Sequence, residues 1–127
     1  MPSPTQKVGA ELERTAEAIL SRRGYRILAR NWRGAGGELD RVAWDGDCLC
    51  FVEVRFRERV ESGSPVETVT LAKRRMLART ARAFLAAYFS DAAPNARFDV
   101  VGLVREEDGS LRAEIVTDAF DEAGRVL

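Results

Sequence analysis

Residues 36–55 read GGELDRVAWDGDCLCFVEVR, two apolar runs separated by Asp45-Gly46-Asp47. The pattern predicts a β-hairpin. Leu39, Val42, Ala43 and Trp44 precede the turn, and Cys48, Leu49, Cys50, Phe51, Val52 and Val54 follow it. Asp40, Glu53 and Arg55 interrupt these runs. A charge inside a core strand is costly unless it is paired or bound to a metal. A solvated sheet face is the plainer account, but that face would also have to carry Phe51. The charges therefore point to a divalent-cation site.

Asp45-Gly46 suits a two-residue type I′ turn. Trp44 then pairs with Asp47, Asp40 faces Phe51 and Glu38 faces Glu53. Opposed and diagonal cross-strand neighbours lie about 5–8 Å apart, so Asp40 and Glu53 come within reach of one hard cation. A one-residue slip would turn Asp40 to the other face. A three-residue loop, Asp45-Gly46-Asp47 with a bulge, is the other geometry the sequence admits.

The chain has no histidine, which removes Ser-His-Asp and Cys-His catalysis, histidine-ligated zinc and imidazole acid–base chemistry. Carboxylates, Lys and Arg remain. Oxygen-only ligation favours Mg2+ or Mn2+ over zinc or copper. Cys48 and Cys50 alternate along one strand, where a bridge between them would distort the pleat. They read as small buried hydrophobes, and a C-x-C pair offers too few ligands for structural zinc.

With 127 residues and 46% apolar content, residues 1–127 fit a single domain with one core. No apolar run approaches the roughly 18 residues of a membrane span, and no charged-then-apolar leader is evident. A cytoplasmic protein is the default expectation.

Net charge is zero, but residues 1–98 hold 17 basic and 12 acidic residues, and the acidic excess follows from Asp99. Arg22, Arg23, Arg26, Arg30 and Arg33 lie in the first third, Arg55, Arg57 and Arg59 follow the hairpin, and Lys73, Arg74, Arg75, Arg79 and Arg82 share a helical stretch. Clustered near a metal site, such charges suit a phosphate backbone; spread along a helix, they are often only a solvated face.

Periodicity supplies the remaining elements. Leu12, Ala16, Ile19 and Leu20 recur at helical spacing from about Val8 to Arg23, and Gly24 ends the run as a C-cap. Glu13 borders this apolar stripe. A glutamate there more often snorkels to water than points inward along the core edge. Tyr25 to Asn31 reads as a first strand, and Glu58 to Gly63 as a loop. Ser64-Pro65-Val66-Glu67 has capping-box spacing with proline at the first helical position. A long helix follows to about Phe89, with Val69, Ala72, Met76, Thr80, Phe84 and Tyr88 near one face. Residues 97–105 and Leu111 to Thr117 form the last strands, around a turn at Glu106 to Ser110. The order α-β-β-β-α-β-β describes an α/β domain whose helices cover a mixed sheet.

The segments GYRILARNWR (24–33), GGELD (36–40), FVEVRFR (51–57), G-x-P-x-E-x-V (63–69) and RFDVV (97–101), in this order over nearly the whole chain, resemble the YraN family of small uncharacterised bacterial proteins. The resemblance implies a restriction-endonuclease-like fold, similar to archaeal Holliday junction resolvases, with a PD-(D/E)xK-type site. It makes Asp40 and Glu53 the metal-binding carboxylates and Glu13 a further acidic member. Glu53-Val54-Arg55 departs from the usual acid-x-Lys. Arginine can stabilise phosphate charge but is effectively never deprotonated. The candidate catalytic set is Glu13, Asp40, Glu53 and Arg55, with Arg57, Lys73, Arg74 and Arg75 as nucleic-acid contacts and Mg2+ or Mn2+ as cofactor. The function classes are a metal-dependent nuclease on DNA or structured nucleic acid and an inactive binding module of the same fold. A homodimer is in keeping with resolvase-like folds, because two strands must be cut.

Overall fold

In the computed structural model, which describes residues 4–58 and 64–127, helix α1 (Pro4–Arg22) is followed by strands β1 (Arg26–Gly34), β2 (Gly37–Asp45) and β3 (Cys48–Arg57). A 3-10 turn at Pro65–Thr68 precedes helix α2 (Leu71–Tyr88), and strands β4 (Ala96–Arg105) and β5 (Leu111–Phe120) complete the domain. This is the α-β-β-β-α-β-β order read from the sequence. The strands form one sheet in the order β1-β2-β3-β4-β5. Only β3 and β4 run parallel, and α2 supplies the crossover that a parallel pair requires.

Each helix buries its stripe on one sheet face. Leu12, Ala16 and Leu20 of α1 pack on Ala43, Cys50, Val52, Val101 and Leu103. Leu77, Ala78, Ala81 and Phe84 of α2 pack on Val42, Leu49, Phe51, Phe98 and Phe120. Gly24 takes a positive φ of 93°, which lets the Tyr25 amide donate back to the Leu20 carbonyl (3.1 Å) and close α1. Cys50 is buried and Cys48 half-buried, both as free thiols. Among the described residues no helix is long and apolar enough to cross a membrane.

Three expectations need correction. Asp45 pairs with Cys48 and Trp44 with Leu49, so the hairpin loop is Gly46-Asp47 rather than Asp45-Gly46. Neither Asp40–Phe51 nor Trp44–Asp47 is a pair, and Phe51 lies opposite Val42. Gly46 alone takes positive φ (61°), as the first loop position of a type II′ turn requires. Asp45 is thereby spared the left-handed region and accepts from Arg97 at 2.7 Å.

The first strand begins one residue after Tyr25 and runs past Asn31 to Gly34. Trp32 anchors the extension by packing edge-on against Phe84, with centroids 5.2 Å apart.

The long helix is two elements. Ser64 caps the 3-10 turn, but Val69 is extended (φ −99°, ψ 109°). The Thr70 hydroxyl then accepts from the Lys73 amide (3.1 Å) to start α2 afresh. The β-branched run Thr68-Val69-Thr70 resists a continuous helix. The buried face of α2 is consequently Leu77, Ala78, Thr80, Ala81 and Phe84, while Tyr88 is 60% exposed. Residues 59–63, with Arg59 and Gly63, lie outside the described residues.

Candidate metal centre

The site forms where β2 leaves β3. Their ladder runs from Asp45–Cys48 to Arg41–Val52. One step further, the Asp40 side chain takes over, its Oδ2 accepting from the Val54 amide at 2.9 Å. Strand alternation breaks at the same point. Leu39 and Val42 both face α2, and Arg41 between them reaches Glu17 of α1. On β1, Ala29 and Trp32 pack toward α2, whereas Arg30 and Asn31 bond Glu17 and Glu13 of α1. Asn31 allows this with a left-handed backbone, φ 49°, which asparagine tolerates better than most residues. Through the opening, acids from both sides of the sheet meet.

Glu53 lies on the α2 side and is 4% exposed. Its Oε2 is 3.6 Å from Lys73 Nζ and 3.8 Å from Arg55 Nη1. Its Oε1 is buried without a hydrogen-bond partner among the described residues. Arg55 is braced by the Thr68 hydroxyl (Nε to Oγ1, 3.1 Å), which itself donates to the Pro65 carbonyl.

Burial, then the charge and proximity of Glu53, push the Asp40 carboxyl up to about 7. Burial and the neighbouring Asp40 push Glu13 up to about 7. Facing carboxylates need a proton or a cation between them. One oxygen each from Glu13, Glu38 and Asp40 lies within 4.8 Å of the others. The cleft, about 590 Å³, is lined by these acids together with Asn31, Arg33, Glu53, Arg55 and Lys73. Hard oxygen donors, an orphaned buried carboxylate oxygen and clustered acids whose negative charge burial disfavours fit a Mg2+- or Mn2+-type ion.

The model of Uncharacterised protein family UPF0102 matches residues 12–103. The chain belongs to the UPF0102 family. A UPF0102 protein of Symbiobacterium thermophilum is 45% identical over 116 residues, covering 91% of this chain and 98% of the relative. One of Chlorobium chlorochromatii is 43% identical over 124 residues, covering 94% and 95%. One of Nitratidesulfovibrio vulgaris (strain DP4) is 46% identical over 114 residues, covering 89% and 83%. The matched UPF0102 segment contains all the acids of the cleft, together with Arg55 and Lys73.

Of the site residues read from this UPF0102 sequence, Glu13, Asp40, Glu53, Arg55 and Lys73 come together in the cleft. Three others do not line it. The Arg57 side chain is 12% exposed and 3.6 Å from Glu114 on β5. Arg74 donates to the carbonyls of Gly124 and Val69, so its guanidinium braces the C-terminal segment. Arg75 is exposed on α2. Glu38 and Asn31 escaped the sequence reading. Glu38 sits two positions before Asp40, and the expected hairpin register sets it opposite Glu53 without giving it a role. Asn31 carries only a weak signal, its tolerance of positive φ.

Proposed function

We propose that this UPF0102 protein is a Mg2+- or Mn2+-dependent nuclease acting on DNA or another structured nucleic acid. The observation that carries the reading is Glu53 Oε1, a carboxylate oxygen buried without a partner among the described residues, beside Asp40, whose carboxyl burial and Glu53 push up to about 7. A folded chain tolerates such an arrangement at a cost that a bound cation offsets. A mixed sheet flanked by helices is also in keeping with the restriction-endonuclease-like fold that the resemblance implies.

Asp40 and Glu53 would hold the ion, with Glu13 completing the acidic set. A divalent cation there supplies Lewis acidity toward water and a phosphate oxygen. Arg55, fixed by Thr68, presents a guanidinium to a phosphate entering the cleft. Lys73 adds a compact ammonium 3.6 Å from Glu53, the charge type that position 55 lacks. Arg33, with a side chain 80% exposed at the rim, would meet a neighbouring phosphate. A pair of copies acting together would cut both strands of a duplex or junction.

One observation favours a second reading. Arg55 stands where nucleases of this type carry lysine, and it cannot act as a base. A binding module that retains the fold without cleavage is therefore the alternative. Incubating an end-labelled four-way junction and single-stranded DNA with wild type, Asp40→Asn and Glu53→Gln in each metal separates the two. Cleavage lost in both variants supports the nuclease. Salt-sensitive binding without cleavage supports the module, and neither binding nor cleavage removes both.

A further inference from the structure

Asn31 ties the acids of the cleft together. Its amide nitrogen donates to both carboxylate oxygens of Glu13, at 3.1 and 3.2 Å, and to Glu38 Oε1 at 2.9 Å. Its amide oxygen accepts from Arg41 Nη1 at 3.4 Å. Arg41 is 3% exposed and is itself fixed by Glu17 (2.8 Å) and the Asp40 carbonyl (2.7 Å). Turning the amide over would set its oxygen against two carboxylates and its nitrogen against a guanidinium. The two carboxylates and Arg41 together set which way the amide faces.

The consequence is a carboxylate from α1 and one from β2 drawn to one NH2 group, with Asp40 two residues further along β2. One oxygen each of Glu13, Glu38 and Asp40 then falls within 4.8 Å of the others. In the ion pair of Glu38 with Arg33 the arginine side chain is 80% exposed. Such a pair contributes little and leaves Glu38 free to exchange partners. Grouped acids alone would carry no site. A second feature belongs to the same cleft: Glu53, which lines it beside Asp40 and is 4% exposed, has an Oε1 without a partner among the described residues.

We propose that Glu38 is a further ligand to the divalent cation beside Asp40 and Glu13, and that Asn31 is the positioning residue that holds it there. This rests on the cation-binding reading of the Asp40–Glu53 site. The amide keeps two like charges at ligand spacing while the ion is away, and its contact with Arg41 helps hold it in that orientation. Removing such a positioning group typically lowers metal affinity by about 10–100-fold.

The test is Mn2+ binding followed by the electron paramagnetic resonance signal of the free ion, with the melting temperature of the metal-free protein measured on the same samples. The variants are Asn31→Gly, Glu38→Gln and Asp40→Asn. Glycine accepts the left-handed backbone of position 31 without steric cost, so Asn31→Gly removes the amide while keeping the strand. The expected result is Mn2+ affinity reduced about 10–100-fold in Asn31→Gly and in Glu38→Gln, with metal-free melting temperatures near that of wild type. Wild-type affinity in both variants, with binding lost only in Asp40→Asn, overturns the proposal and leaves the Asp40–Glu53 site standing. Weakened binding that merely tracks a fall in melting temperature also overturns it. No Mn2+ uptake by wild type overturns this proposal and the cation site together.

Discussion

The ammonium of Lys73, in the first turn of α2, lies 3.6 Å from Glu53 Oε2 on β3. Helix α2 thus delivers a lysine to a site whose own strand offers only Arg55. The split of the long helical pattern makes this contact, because the Thr70 cap fixes where α2 begins and its hydroxyl binds the amide of Lys73 itself.

If Lys73 supplies the compact charge, Lys73→Ala should slow single-turnover cleavage of branched DNA by about 100-fold or more, the usual cost of losing a positioned electrostatic group. Arg55→Lys should then change the rate only a few-fold. A large gain in Arg55→Lys with no loss in Lys73→Ala would assign the role to position 55 instead.

The two basic neighbours on α2 should separate cleanly. Lys73→Gln should reduce the slope of log affinity against log salt by about one, the mark of one lost phosphate contact. Arg74→Gln should leave that slope unchanged. It should instead destabilise the fold by about 1–3 kcal/mol, because the carbonyls of Gly124 and Val69 lose a charged donor. Fluorescence anisotropy with labelled single-stranded and branched DNA, paired with urea unfolding, measures both quantities.

Stability of the metal-free protein should fall as pH rises toward neutrality. Asp40 and Glu13 have ordinary values of 3.8 and 4.5 and are pushed up to about 7 in the fold, each first by burial. The folded state therefore binds their protons more tightly than the unfolded chain does. Their contribution is most favourable below the unfolded values, and it is lost as pH climbs through about 7. Urea midpoints measured from pH 4 to 8 should decline less steeply in Asp40→Asn than in wild type. Saturating Mn2+ should restore wild-type stability at pH 8, since the ion takes the place of the protons. Parallel profiles for the two proteins would contradict the account of Asp40.

Much of this was legible in the residues. Leu12, Ala16 and Leu20 gave α1 by their spacing. The charges of Asp40 and Glu53 stood out because their strands are otherwise apolar, and burial of Glu53 at 4% exposure bears out that contrast. The hairpin register is ambiguous in the sequence because Asp45-Gly46 and Gly46-Asp47 are both good loops, and tertiary contacts such as Asp45 with Arg97 at 2.7 Å accompany the one the fold adopts. That shift moves the pairing by two positions on β3, so Glu53 kept its face.

What could not be read was the opening of the sheet. Alternation alone puts Asp40 with Val42 on the α2 side, and its actual place depends on the left-handed Asn31 and on Arg41 reaching Glu17. These are tertiary relationships without local periodicity. Asp99 is similar. It reads as one residue of a strand, yet it is fully buried and accepts from Tyr25 (2.8 Å), Arg97 (2.9 Å) and the Asp118 amide (2.9 Å).

The central claim, a divalent cation held by Asp40 and Glu53, is tested most directly by isothermal titration of metal-free protein with Mg2+ and Mn2+, wild type against Asp40→Asn. The expected result is saturable binding by wild type that disappears in Asp40→Asn, with both proteins folded by circular dichroism. Identical heats for the two proteins would contradict the claim.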